Sequence, residues 1–70
     1  MNEKLTHHFH KVINVIQSCK TEEHLLGAKL MIVNFTNYWS YKIDSKLLIS
    51  YIKYINILFK HQRNKVLNYD

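Results

Sequence analysis

The eighteen residues from Glu22 to Trp39, EEHLLGAKLMIVNFTNYW, decide how this chain folds. Leu25, Ala28, Ile32, Phe35 and Trp39 recur at steps of three and four, the spacing that aligns side chains on one face of an α-helix. Leu26, Leu30 and Val33 make a second apolar strip about a third of a turn away. Only Glu23, Gly27, Asn34 and Asn37 form a plainly polar or bare band. A helix apolar over most of its circumference must be covered on two sides. The segment is therefore expected to be the central helix of a bundle or part of a subunit interface. The reading of the whole chain hangs on that requirement, and Leu26, Leu30 and Val33 standing bare in solvent, or lying in a strand, would overturn it.

Working outward, Thr21 reads as the N-cap of this helix, with Glu22 and Glu23 at the positive end of its dipole. Upstream, Leu5, Phe9, Val12, Ile13, Ile16 and Cys19 form one apolar stripe, with His7, Lys11, Asn14 and Ser18 opposite. That pattern predicts a first helix over about 3–18. Downstream, Tyr38 to Ile43 closes the second helix, and Asp44 or Ser45 caps a third that runs to about Lys65. Its expected core stripe is Leu47, Leu48, Tyr51, Ile52, Ile55, Leu58, Phe59 and Val66, and Asn68 to Asp70 are expected to fray. Proline is absent and Gly27 is the only glycine, so tight hairpins have no turn residues to use. The expectation is one all-α domain over 1–70, a three-helix bundle with helices at about 3–18, 22–39 and 45–65, completed by oligomerisation if α-helical surface is left uncovered.

Size sharpens the oligomer question. A chain of 70 residues buries only about 60% of its unfolded surface and is marginal alone. Cys19 is the only cysteine, so no intramolecular disulfide can help; it reads as a small apolar core residue. A lone cysteine without a signal-peptide pattern fits a reducing, cytoplasmic compartment. The longest apolar window, Leu47 to Phe59, is broken by Ser50, Lys53 and Asn56 and falls short of a membrane span.

Ten Lys+Arg against five Asp+Glu give a net charge of +5, which favours an acidic partner, protein or nucleic acid. Nine of the ten cations are lysine, whereas readers of bases and phosphates favour the planar fork of arginine. On the third helix, Lys46, Lys53 and Lys60 are spaced by seven and stack along one line. Ile49, Asn56 and Arg63 form the adjacent row, and Ile57 and Asn64 flank the other side. Such a face can dock on an acidic groove or a phosphate backbone, or be a solvated lysine face. Ile49 and Ile57 fall off the core stripe and suit contact with a partner. Tyr38 and Tyr41, in the cluster Asn37-Tyr-Trp-Ser-Tyr41, can be interface anchors, stacking platforms for unpaired bases, or caps on the bundle end, where Trp39 reads as a plug.

The remaining candidates are weaker. His7, His8 and His10 offer only an i, i+3 pair, and no second cysteine or nearby carboxylate completes a metal site. No cofactor motif is present. The acidic residues Glu3, Glu22, Glu23, Asp44 and Asp70 make no acid–base pair, and there is no phosphate loop or nucleophile elbow. Catalysis is not expected. Gly27 beside Ala28 makes a bare patch on which another backbone, such as a second subunit's, can approach closely.

The stretch from Lys11 to Phe35, KVINVIQSCKTEEHLLGAKLMIVNF, resembles a pattern in small helical accessory proteins of tailed bacteriophages, in which a short Ser/Cys-x-Thr-x-Glu turn joins two helices. It covers about a third of the chain. The resemblance implies a protein acting in the bacterial cytoplasm, in a group rich in non-enzymatic inhibitors of host or defence components; it transfers no functional residues. The sequence thus points to a non-enzymatic helical interaction protein that binds and modulates another macromolecule, itself included. The alternatives are a basic nucleic-acid-binding domain that uses the third helix, with Tyr41 or Tyr54 stacking, and an oligomer with nucleotide pockets between subunits.

Overall fold

Two short turns join three helices in the computed structural model, which describes residues 3–67. The helices are α1 (Glu3–Gln17), α2 (Glu22–Trp39) and α3 (Ser45–Leu67). With only residues 18–21 and 40–44 between them, successive helices turn back on one another. Every pair is in contact, giving an all-α three-helix bundle 41 Å long and 17 Å across. The expected boundaries hold to within two residues. Asn68 to Asp70, expected to fray, lie outside the described residues.

Local chemistry sets the helix ends. Thr21 sits in extended conformation at φ −134°, and its hydroxyl accepts the His24 amide at 3.2 Å. The His24 ring in turn accepts the Lys20 amide through Nδ1 at 3.1 Å, which satisfies a second donor of the turn. Asp44 caps α3, its carboxylate accepting the Lys46 amide at 3.2 Å. The turn between α2 and α3 is held by the Lys42 and Ile43 amides, which both donate to the Trp39 carbonyl.

Leu25, Ala28, Ile32, Phe35 and Trp39 are all buried, so the α2 core stripe is as the spacing predicts. They meet Leu5, Val12, Ile16 and Cys19 from the α1 side, and Leu48 and Ile55 from α3. Phe9, Ile13, Tyr51, Ile52, Leu58, Phe59 and Val66 are half-buried around that core. Leu47 departs from expectation. It is 45% exposed, because it lies about 100° around α3 from Leu48 and lines an open groove instead.

The larger correction concerns the second strip of α2. Leu26, Leu30 and Val33 are 65%, 66% and 48% exposed. Two neighbouring helices cover only one side of α2; Leu30 lies opposite that side, and Leu26 and Val33 lie toward its edges, Leu26 at the rim of a groove shared with α3. The central-helix alternative is therefore excluded. Among the described residues the strip stands bare, the condition that contradicts two-sided cover. Full burial of a leucine is favourable by about 1.5–3 kcal/mol, most of which these side chains forgo in isolation.

Candidate functional site

α3 carries Lys46, Lys53, Lys60, Arg63 and Lys65 and no carboxylate, so half of the chain's cations sit on one helix. Leu48 and Ile55 anchor its inner face in the core. Helical geometry then turns Lys46, Lys53 and Lys60 directly outward, and all three are exposed. They span about 21 Å along the axis. Ile49 and Ile57 are 54% and 57% exposed on either side of that line. Asn56 and Arg63 are exposed as well. The order Ile49, Lys53, Ile57, Lys60 thus alternates apolar and cationic groups along one accessible face.

The tyrosines do not join this face. Tyr38 is half-exposed near the end of α2, edge-on to Trp39 and His8, with the Lys42 ammonium 4.8 Å from its ring centre. That contact is a cation–π pair at the surface, confined to the α2–α3 turn. Tyr41 is 90% exposed in the same turn. Of the lysine line only Lys46, at the start of α3, lies near that end. Tyr54 faces away from the line and packs 5.7 Å from the Phe9 ring.

Arg63 is drawn toward α2. With Leu26, Lys29, Phe59 and Leu67 it lines a shallow groove between α2 and α3. Among the described residues, no three of His, Cys, Asp and Glu are gathered as a metal site would require. No helix among them is long and apolar enough to cross a membrane.

No protein-family model, curated protein or solved structure matches this chain.

Three features escaped the sequence reading. The His8 ring is half-buried at the aromatic end of the bundle, where its Nδ1 accepts the Trp39 indole N–H at 3.0 Å. It also meets Phe35 edge-on at 4.9 Å. Burial, then the nearby Lys11 and His7 charges, push its pKa below the ordinary histidine value. Gln62 donates from Nε2 to the Cys19 carbonyl at 2.7 Å and ties α3 to the α1–α2 turn. Both were legible in principle: Leu5-His8-Val12 and Ile55-Phe59-Gln62-Val66 follow the same three–four spacing as the core. The third is an open, largely apolar groove of about 410 Å³ between α1 and α3, lined by Phe9, Ile13, Leu47 and Tyr51 among others. Its residues come from two helices, so no single-helix periodicity could have shown it.

Proposed function

We propose that this chain acts by binding, not catalysis, and that α3 presents its outward face to an acidic protein. The observation that carries the reading is the line of Lys46, Lys53 and Lys60 with Ile49 and Ile57 exposed beside it and no carboxylate on the helix. Lysines alone would be an ordinary solvated face. Two half-exposed isoleucines among them favour a partner that offers apolar side chains between carboxylates, since apolar area supplies affinity and charge supplies register. The likeness of Lys11–Phe35 to phage accessory proteins supports a bacterial host or defence protein as that partner.

A nucleic-acid partner is the second reading, supported by the same lysines and by the exposed Tyr41 and Tyr54. Single-strand binders place aromatics within the basic groove so that bases stack while phosphates are neutralised. Here Tyr54 faces away from the lysine line and Tyr41 lies beyond one end of it, which favours the protein.

Capture from bacterial lysate tests both readings, with wild-type chain and a Lys53→Glu/Ile57→Ser variant as bait, each with and without nuclease. The expected result is an acidic protein that survives nuclease on the wild type and is lost on the variant. Capture abolished by nuclease, together with a steep salt dependence for a mixed DNA and RNA pool, would establish the nucleic-acid reading instead.

A further inference from the structure

We infer that the bare strip of α2 is the seat of a second copy of this chain, lying antiparallel to the first about a twofold axis. Glu23, Leu26, Leu30, Val33 and Asn37 follow one another at steps of three and four, the seam by which two helices pack side by side. Among the described residues Leu26, Leu30 and Val33 stay exposed, with Leu26 at the rim of the α2–α3 groove, and the centre of the seam is purely aliphatic.

A twofold contact uses the same patch on both copies, so the patch must complement itself. This one does in a single orientation. Setting Leu30 against Val33 of the second copy brings Leu26 against its Asn37 and Glu23 against its Ser40. The same register carries the acidic first turn, Glu22 and Glu23, to the end of the other helix, where Lys42 follows. The last turn of α2 holds no cation of its own, so the negative pole there is also met by the opposing positive pole. A parallel pair would instead crowd four carboxylates at one end. The strip's central side chains carry no charge to attract an acidic protein or a phosphate, unlike the face of α3.

One helix of 18 residues gives a contact about 27 Å long. That is small among specific interfaces, and dissociation in the micromolar range is expected. The inference goes beyond the α3 reading and does not depend on it.

Sedimentation equilibrium of the full chain tests it, over concentrations from about 1 μM to several hundred. The mass should rise from 8.5 kDa toward twice that value. Leu30→Glu should keep the wild-type helical circular dichroism, because Leu30 contributes nothing to the core, yet stay at the monomer mass. Lys53→Glu should associate as the wild type does, which separates this surface from the one on α3. Orientation follows from mixing Glu23→Cys chains with Ser40→Cys chains, both carrying Cys19→Ala, and oxidising them. Disulfides between unlike chains are expected. A mass of 8.5 kDa across the range, a Leu30→Glu chain that still associates, or links between like chains would overturn the proposal.

Discussion

Protonating His8 would break the hydrogen bond by which α1 holds the Trp39 indole at the end of α2. The Trp39 N–H needs the lone pair on His8 Nδ1, so the imidazole must be neutral there. Burial first, then the Lys11 and His7 charges, hold the folded-state pKa below the ordinary 6.5. The unfolded chain therefore takes up the proton at higher pH than the folded one. The stability His8 contributes is complete above about 6.5 and is lost as pH falls through the lower folded value. His8→Ala should lower stability at neutral pH by about 1–2 kcal/mol, for a buried donor left unpaired. It should also flatten the fall in Tm between about pH 7 and pH 5. Thermal melts of the two proteins at both values check this, and equal slopes would remove His8 from the account. Cys19 shows the complementary case. Its thiol donates to the Val15 and His24 carbonyls, each at 3.3 Å, and burial pushes its pKa up, so it serves as packing in the α1–α2 turn.

At the scale of the helix, Gly27 is the informative position. A Cβ there would meet nothing within 4 Å, so no neighbouring backbone in the chain requires glycine. The bare patch anticipated from sequence thus has no approaching backbone within the chain, and opens instead onto a shallow cleft beside Val15, Cys19 and His24. Gly27→Ala should raise stability by about 1 kcal/mol through helix propensity alone, measured by urea denaturation. A loss would mean that something outside the chain occupies that space.

The three elements themselves were legible because each carries a three–four apolar stripe, and two of them a polar N-cap. Thr21 and Asp44 mark two starts, and the core face of α2 follows its spacing residue by residue. What spacing could not give is whether a neighbour also covers the second side of α2. Periodicity reports that Leu26, Leu30 and Val33 share a side, whereas cover depends on where two other helices fit. Leu47 was misread for the same reason. It lies on the edge of its stripe, and the outcome turned on how far α1 reaches around. The α3 face, in contrast, was fully readable: Lys46, Ile49, Lys53, Ile57 and Lys60 stand outward because Leu48 and Ile55 point inward.

The whole molecule is a thin bundle whose interior is small for its surface. Its buried residues form one core along a body 17 Å across, and chains of this size sit near the lower limit of independent stability. Single exposed apolar side chains are ordinary, but neighbouring ones that share a face mark a contact with another molecule. Two such regions differ in chemistry. The strip on α2 is aliphatic at its centre and suits its own copy, and the line on α3 is cationic and suits an acidic protein. A dilution series of amide and methyl NMR spectra separates them in one experiment. Signals of Leu26, Leu30 and Val33 should move with concentration while those of Ile49, Lys53 and Ile57 stay fixed. Spectra unchanged over the whole range, or shifts centred on α3 instead, would contradict the account.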